Sequence, residues 1–431
     1  MSELKRVHFN KPVLHGELAV PGDKSISHRA IMLASIAEGK STVSGFLDGD
    51  DCLRTIEIFK QLGVSIERTG TEVVIDSPGI KNWVTPKEVL YAGNSGTTAR
   101  LMLGILAGSN ITSTMTGDAS LSARPMDRVT LPLRSMNALI TSEKEVDLLP
   151  LQITGALLTA IEYDNLVASA QVKSAILFAG LQTIGTTSVR EKTVSRDHTE
   201  QMLKHFGATI YVEDGIASVT GGVTLHGTDV HVPGDISSAA FFMAAAGMVE
   251  GSTITFTNVG LNPTRTGILD VLKRMGVSIK VTDESDVNGE PSGTVIVTHS
   301  QIQPTEISGA LIPRLIDELP IIALLATQAN GTTIIKDAAE LRVKETDRIA
   351  AVTNELSKIG ANIEATADGM IIYGPTPLTG GTMDSYGDHR LGMMAAIASL
   401  VASGPVLIED PACIDISYPT FFEDLEKLVG K

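Results

Sequence analysis

The first residues that could carry chemistry lie in the segment Pro21–Arg29, where a turn precedes a run of helical periodicity. Lys24, Ser25 and Arg29 fall in the first turns of that helix. Backbone N–H groups at a helix start, a hydroxyl and two cations together suit a phosphate or carboxylate. The segment therefore predicts an anion site, and the structural alternative is a capped, solvated helix start.

A second candidate is the glycine-rich turn Gly93–Arg100, which again leads into a helix. It lacks the Gly-Lys-Ser/Thr ending of a Walker loop and the glycine spacing of a dinucleotide-binding loop. Two interpretations remain, an anion-binding turn that includes Gly96 and a purely structural turn.

Further cations and carboxylates cluster at the starts of other helical stretches. They are Arg124 and Arg128 in GDASLSARPMDR, Ser169, Gln171 and Lys173 in SAQVKSA, Arg196 in SRDH, Asp317 and Glu318 in LIDELP, Lys344, Glu345 and Arg348 in LRVKETDR, and Asp388 and Arg390 in GDHR. Helix capping by a side chain is the structural alternative for SRDH and LIDELP. Lys173 enters an otherwise apolar helix, so we expect it to have an anionic partner.

The overall charge contrasts with these cationic segments. The chain has 34 Lys and Arg against 50 Asp and Glu, a net charge of −16, which argues against binding to nucleic acid or an anionic membrane. We therefore predict small multi-anionic substrates, with carboxylates as acid and base. Cys52 and Cys413 are the only cysteines, which indicates neither a disulfide framework nor a zinc site and favours a reducing cytoplasm. We see no signal peptide or membrane anchor, and read the apolar stretch 391–402 as a buried helix.

The elements that must position these residues follow a repeat. An amphipathic helix end, a Gly or Asn and a β-branched run recur roughly every 70 residues. The copies are FKQLGVSI, LRSMNALI, LKHFGATI, LKRMGVSI, LSKIGANI and a truncated LEKLVG. Helices that are apolar nearly all round lie between them and belong in the interior. This pattern predicts an α/β (α+β) fold of six βαβαββ-type units.

A longer repeat divides the chain in two. VPGDKSISHRA from Val20 is echoed by VPGDISSAAFF from Val232, and only the first copy is cationic. We predict two similar lobes of three repeats each, residues 21–235 and residues 1–20 plus 236–431, with the last repeat truncated. The strand before the first VPGD is expected to pair with the C-terminal lobe, and the active site to lie in the cleft between lobes.

Six strings occur in the order found in one family: PGDKSISHRA, GNSGTTARL, RPMDR, SAQVKSA, LRVKETDR and GDHR. Together they resemble the enolpyruvyl transferases, specifically the 3-phosphoshikimate 1-carboxyvinyltransferase (EPSP synthase) family, over essentially the whole chain. The resemblance implies an inverse α/β barrel-like fold of two closing lobes. It also implies transfer of the enolpyruvyl group of phosphoenolpyruvate to shikimate 3-phosphate, in the shikimate pathway to chorismate and aromatic amino acids, by a cytoplasmic monomer without cofactor or metal.

The same resemblance implies roles for individual residues. Shikimate 3-phosphate is expected to contact Lys24, Ser25, Arg29, Ser169, Gln171, Arg196, Asp317 and Lys344. Phosphoenolpyruvate is expected to contact Lys24, Gly96, Arg124, Gln171, Arg348 and Arg390. Asp317, Glu345 and Lys24 are the candidate catalytic residues, with Asp317 taking the hydroxyl proton and Glu345 moving the methyl proton.

The sequence departs from the family pattern at one position, and two alternative functions remain. Ile416 stands where many members carry a lysine near the phosphoenolpyruvate pocket. One alternative is a UDP-N-acetylglucosamine enolpyruvyl transferase, but Ala119 occupies the position of that family's usual cysteine. The other is a non-catalytic anion-binding repeat scaffold.

Overall fold

The computed structural model describes residues 4–142, 146–287 and 289–430. The helices in these ranges are α1 Lys24–Ile36, α2 Asp50–Gln61, α3 Gly96–Ala107, α4 Asp127–Ser135, α5 Ala170–Gly180, α6 His198–His205, α7 Ile236–Met248, α8 Gly267–Arg274, α9 Leu319–Ala326, α10 Arg348–Lys358, α11 His389–Ala398 and α12 Phe421–Val429. None of these helices is long and apolar enough to cross a membrane.

The strands are short, mostly four to eight residues. They are β1 Leu4–Val7, β2 His15–Leu18, β3 Glu38–Ser44, β4 Ser65–Thr69, β5 Glu72–Pro78, β6 Leu90–Tyr91, β7 Thr112–Thr116, β8 Leu139–Ser142, β9 Leu151–Thr154, β10 Glu162–Asn165, β11 Thr186–Glu191, β12 Thr209–Glu213, β13 Ile216–Thr220, β14 Val230–His231, β15 Thr253–Gly260, β16 Ser278–Val287, β17 Glu290–Thr298, β18 Glu306–Ile307, β19 Thr332–Ile335, β20 Asn362–Ala365, β21 Met370–Tyr373, β22 Gly381–Asp384 and β23 Val406–Glu409.

These strands form six small sheets, one for each sequence repeat. In a typical repeat two parallel strands are joined by a buried helix, as β6 and β7 are by α3. An amphipathic helix then leads to a hairpin such as β8–β9, whose second strand pairs antiparallel with the sheet. Five sheets have this four-stranded order, so the predicted βαβαββ architecture is confirmed.

The sixth sheet has three strands, and β1 pairs antiparallel with β23 at the place that the hairpin takes in the other five. The other N-terminal strand, β2, pairs in parallel with β15, which confirms the expected pairing with the C-terminal half. Correspondingly, β14 pairs in parallel with β3.

The chain divides into two compact units, each with its own apolar core. The N-terminal unit comprises Gly22–Val232 and Val287–Glu290, and the C-terminal unit comprises Met1–Pro21, Pro233–Asp286 and Pro291–Lys431. Residues 1–3 and 431, the ends of the predicted C-terminal lobe, lie outside the described residues.

The helix ends of the repeat have a common physical cause. Gly63, Gly207, Gly276 and Gly360 follow their helices with a positive φ, and Asn137 takes φ +69° at the same place in the second repeat. Glycine adopts this left-handed conformation without a Cβ clash, and Asn tolerates it better than most residues. The chain therefore leaves each amphipathic helix in the direction of its hairpin.

Candidate functional site

In the N-terminal unit, α1 presents the first candidate anion site. Asp23 caps the helix by accepting a 2.9 Å hydrogen bond from the backbone N of Ile26. Lys24, the first helical residue, keeps its Nζ 2.5 Å from Oδ2 of Asp51 at the start of α2. Lys24 and Ser25 are half-buried, so their polar groups remain within reach of a ligand.

Arg29, one turn further along α1, is almost fully buried and makes contacts inside the unit. Its Nε donates to Thr199 Oγ1 at 2.6 Å, its Nη2 to Ser174 Oγ at 2.9 Å and its Nη1 to the Ser25 carbonyl at 3.0 Å. Burial lowers the pKa of Arg29 to about 10, although nearby Glu200 acts in the opposite direction. Arg29 thus joins α1 to α5 and α6.

The start of α3 gathers a second group of polar side chains. Ser95 caps this helix by accepting from the backbone N of Thr98 at 3.1 Å. Gln171, at the start of α5, accepts from Arg100 Nη1 at 2.7 Å and donates to Thr97 Oγ1 at 3.0 Å. The helix starts of α3 and α5 therefore meet at this point, as the sequence assignment of Gly96 and Gln171 requires.

Two arginines flank Gly96. A Cβ at this position would lie 3.0 Å from Arg100 Nη1 and 3.7 Å from Arg124 Nη1. Arg124 donates from Nη2 to Asn94 Oδ1 at 2.8 Å, which fixes it beside the glycine-rich turn. Sequence reasoning did not assign Arg100 to the site, although its position four residues after Gly96 puts both on one helix face.

A buried charge cluster anchors the segment that carries Arg196. Lys173 Nζ lies 2.8 Å from Glu191 Oε2 and 2.7 Å from Glu200 Oε1, and all three side chains are 3% exposed. This confirms the expected anionic partner of Lys173. The backbone N and Oγ of Ser195 donate to Glu191 at 3.1 and 2.7 Å, so the cluster holds the residue directly before Arg196.

The electrostatics of this cluster follow from its burial. Burial opposes the charge of Lys173, but Glu200 and Glu191 outweigh it and raise the pKa of the ammonium. Burial also raises the pKa of Glu200, despite the opposing effect of Lys173. The capping alternative for SRDH is wrong, because Asp197 makes no side-chain capping bond and instead accepts from Gln201 Nε2 at 2.9 Å.

In the C-terminal unit the candidate residues converge on Arg348, which is 1% exposed at the start of α10. Its Nε and Nη2 donate to the two oxygens of Asp388 at 2.7 and 3.1 Å. Its Nη2 also donates to Glu345 at 2.7 Å, and its Nη1 to Asp317 at 3.2 Å. Burial opposes the charge, but these three carboxylates, Asp388 foremost, outweigh it and raise the pKa of Arg348.

The half-buried carboxylate of Asp317 lies between two cations, since Lys344 Nζ is 3.3 Å from the oxygen that Arg348 contacts. The capping alternative for LIDELP is wrong, because Glu318 occupies the N-cap of α9 without a capping bond. Glu318 instead accepts a hydrogen bond from Ser237. The structure thus brings Asp317, Lys344, Glu345 and Arg348 together.

Arg390 is buried beside the same cluster, at the start of α11. Its backbone N donates to Asp388 Oδ1 at 2.8 Å, so Asp388 contacts the guanidinium of Arg348 and the backbone of Arg390. Its Nη1 donates to the Ser237 carbonyl at 2.9 Å. Ile416, which replaces the lysine of the family pattern, is half-buried against the core of this unit.

Each unit therefore carries cations suited to phosphate or carboxylate, and the C-terminal unit adds two half-buried carboxylates suited to proton transfer, Asp317 and Glu345. Within the described ranges, no three His, Cys, Asp or Glu side chains are grouped so as to hold a metal ion.

Comparison with known proteins agrees with this geometry. The model of the EPSP synthase (3-phosphoshikimate 1-carboxyvinyltransferase) family matches residues 10–425. The 3-phosphoshikimate 1-carboxyvinyltransferase of Bacillus licheniformis is 55% identical, over 97% of this chain and 98% of its own, and that of Bacillus cytotoxicus is 56% identical, over 96% and 98%.

Solved structures show the same likeness. An EPSP synthase structure from Acinetobacter baumannii is 42% identical, with a TM-score of 0.89 over 99% of this chain and 98% of the other. The enolpyruvyl transferase NikO from Streptomyces tendae, 19% identical, shares the fold with a TM-score of 0.80 over 99% and 97%.

Proposed function

The chain belongs to the EPSP synthase family, the 3-phosphoshikimate 1-carboxyvinyltransferases, and from that premise we propose how its residues perform the reaction. It transfers the enolpyruvyl group of phosphoenolpyruvate to the 5-hydroxyl of shikimate 3-phosphate and releases phosphate. The observation that carries this conclusion is the family match over residues 10–425, which spans both units. The alternative acceptor, UDP-N-acetylglucosamine, is not favoured by these relatives.

Shikimate 3-phosphate takes its contacts from both units. Lys24, Ser25 and Arg29 in α1 bind this phosphorylated cyclohexene carboxylate, together with Ser169, Gln171 and Arg196 around the starts of α5 and α6. The buried contacts of Arg29 with Thr199 and Ser174 support a role in fixing the geometry of this group. Asp317 and Lys344 supply the contacts of the C-terminal unit.

Phosphoenolpyruvate, with its phosphate and carboxylate, is held by cations and one helix start. In the N-terminal unit these are Lys24, Arg124, Gln171 and the backbone at Gly96, where the N–H groups of a helix start favour an anion. In the C-terminal unit they are Arg348, whose guanidinium is held by Asp388, and Arg390, whose guanidinium donates to the Ser237 carbonyl. Arginine is suited to this task because its planar guanidinium can donate two parallel hydrogen bonds.

The chemistry proceeds by addition and then elimination. The 5-hydroxyl oxygen forms a bond to C2 of phosphoenolpyruvate while its proton passes to Asp317, and C3 takes a proton from Glu345. This gives a tetrahedral ketal phosphate. In the second step the bond between C2 and the phosphate oxygen breaks, Glu345 takes back a methyl proton, and the proton from the hydroxyl leaves with phosphate.

The positions of the two carboxylates support these roles. Asp317 accepts a hydrogen bond from Nη1 of Arg348 and Glu345 accepts one from Nη2, so one buried guanidinium holds both carboxylates. Lys24 neutralises charge on the departing phosphate, and the fixed cations need no reorganisation as charge develops.

We place the protein in the cytoplasm as a monomer. Its two cysteines, Cys52 and Cys413, are both buried and suit a reducing compartment. Sedimentation tests the monomer.

The direct test is phosphate release from phosphoenolpyruvate, with shikimate 3-phosphate or UDP-N-acetylglucosamine as acceptor. We expect phosphate release when shikimate 3-phosphate is the acceptor and none when UDP-N-acetylglucosamine is the acceptor. Release with neither acceptor would leave the cationic groups as a binding site and overturn the proposal.

Variants then test the proton roles. Asp317→Asn and Glu345→Gln keep the shape of each side chain but remove its basicity, so we expect turnover to fall by about two to four orders of magnitude. Lys204→Met, an exposed change on α6, is the control expected to retain activity. Full turnover in Glu345→Gln would remove that residue from the scheme.

A further inference from the structure

A chain of buried side chains that the reaction scheme does not use joins α1, α2 and α3. His28 Nδ1 lies 2.8 Å from Thr55 Oγ1, and Thr55 Oγ1 lies 2.8 Å from Thr98 Oγ1. Thr98 Oγ1 in turn donates to Ser95 Oγ at 2.8 Å. His28, Thr55 and Thr98 are 0% exposed and Ser95 is 1% exposed, so solvent does not compete for these bonds.

The hydrogen bonds from His28 through Thr55 and Thr98 to Ser95 all run in one direction. Each hydroxyl has one hydrogen, so Thr98, which donates to Ser95, must accept from Thr55, and Thr55 must accept from His28 Nδ1. The ring hydrogen of His28 then lies on Nδ1. Nε2 has no hydrogen-bond partner among the described residues, which fits a bare lone pair there. The reverse direction would bury an N–H without an acceptor, the less favourable of the two arrangements.

The surroundings keep His28 neutral, so only one ring nitrogen carries a hydrogen. Burial lowers the pKa of His28 well below its usual value, and the neighbouring charges of Lys24 and Arg29 lower it further, while Asp23 partly opposes them. A second contact of 3.5 Å between Nδ1 and Thr98 Oγ1 ties the ring to α3 as well.

We propose that His28 is a positioning residue that, as the Nδ1–H tautomer, fixes the start of α3 relative to the start of α1 through Thr55 and Thr98. The two helix starts carry Gly96 and Lys24, so the inference rests on the proposed function, in which both contact phosphoenolpyruvate. Ser95 receives the last bond of the chain and is the cap of α3 directly before Gly96. The chain thereby sets the spacing between two contacts of one small anion.

The tautomer is tested on the wild-type protein by long-range proton–nitrogen NMR with labelled histidine, assigned with His28→Asn. We expect one histidine with a protonated Nδ1 and an unprotonated Nε2 that does not titrate near neutral pH. A His28 signal with the hydrogen on Nε2, or with both nitrogens protonated, overturns the inference.

The positioning role is tested by steady-state kinetics with matched variants. Thr98→Val and Thr55→Val each remove one hydroxyl from the chain at nearly constant volume. Thr187→Val makes the same change at a 0% exposed residue on β11 whose Oγ1 has no partner in the described part of the chain. We expect the two chain variants to raise the KM for phosphoenolpyruvate about tenfold, as for one lost buried hydrogen bond, with a much smaller change for shikimate 3-phosphate. Thr187→Val should leave the KM values for phosphoenolpyruvate and for shikimate 3-phosphate unchanged.

Replacement of His28 itself adds a rescue test. The amide nitrogen of Asn can occupy the place of Nδ1 and donate to Thr55, whereas that of Gln corresponds to Nε2. We therefore expect His28→Asn to keep the KM for phosphoenolpyruvate close to wild type and His28→Gln to raise it. A purely structural role would lower the active fraction and kcat without moving KM.

The outcomes separate the two proposals. Chain variants that change KM no more than Thr187→Val does, in an enzyme that turns over both substrates, would overturn the positioning role and leave the function intact. A wild-type protein without turnover would overturn the function, while the NMR result would still decide the tautomer.

Discussion

Replacing Lys173 by Met tests how the buried cluster in the N-terminal unit supports both stability and substrate binding. Met keeps the length of the apolar stem but removes the ammonium. Two contacts, 2.8 Å to Glu191 and 2.7 Å to Glu200, are lost together. Both carboxylates then remain at 3% exposure without their cation.

The magnitude follows from that burial. Breaking a buried ion pair by removing one partner costs about 3–5 kcal/mol, because a charge is left without compensation. We expect Lys173→Met to lower the free energy of unfolding by this amount. Since Glu191 also holds Ser195, we expect a raised KM for shikimate 3-phosphate through the release of Arg196.

The pH dependence has a definite sign. Burial already raises the pKa of Glu200 with Lys173 in place, and removing the ammonium raises it further. A carboxyl whose folded pKa exceeds its unfolded pKa stabilises the fold at low pH, and this stabilisation is lost as pH rises through the folded pKa. The destabilisation of Lys173→Met relative to wild type should therefore be larger at about pH 8 than at about pH 5.

Urea unfolding followed by fluorescence is the assay, because the only tryptophan, Trp83, is buried in the N-terminal unit with Lys173. Lys204→Met, an exposed lysine on α6, is the matched control, expected within about 0.5 kcal/mol of wild type. A loss below about 1 kcal/mol for Lys173→Met, or a loss independent of pH, would refute the reasoning.

Three further predictions use the same assays. Asp388→Asn removes the carboxylate that accepts two hydrogen bonds from the Arg348 guanidinium, so kcat/KM for phosphoenolpyruvate should fall at least tenfold, about 1.4 kcal/mol; an unchanged value would contradict this role. Gly104→Ala places a Cβ 2.1 Å from the Ala175 carbonyl oxygen, where α3 meets α5, and should cost about 3 kcal/mol of stability; a wild-type urea midpoint would show that the helices move apart freely. His28, with its lowered pKa, contributes stability that is present above its unfolded pKa near 6.5 and is lost by up to about 1.4 kcal/mol per pH unit as pH falls. His28→Asn should reduce this acid-side loss, and an identical pH profile would argue against a neutral His28.

Much of the fold could be predicted because its signals are local. A helix end followed by Gly or Asn favours the same left-handed backbone conformation wherever it occurs, so the repeats could be recognised in the sequence. Asn137 was correctly predicted to take the position that Gly has in the other repeats. The closure of the sixth sheet by β1 was not predicted. It joins Leu4 to Glu409, and no local pattern marks that pairing.

The candidate site shows the same difference between local and long-range information. The sequence was sufficient to identify the segments and residue types, but packing determines the partners of buried charges. Arg348 pairs with Asp388, 40 positions away, and Arg29 contacts Thr199, 170 positions away. His28 and Thr98 look like ordinary helix residues in the sequence, and only the side-chain distances show that they belong to one hydrogen-bonded chain.

The pairing of β1 and β2 with strands far along the chain also sets an order of assembly during synthesis. Nearly all of the N-terminal unit is complete once Val232 has left the ribosome, so it can fold on the ribosome. Meanwhile β1 must wait for β23, some 400 residues later, or about 20–80 s at ordinary translation rates. For that interval, Leu4–Val7 is a nascent segment without its sheet, and an unpaired strand edge of this kind is open to pairing with other chains.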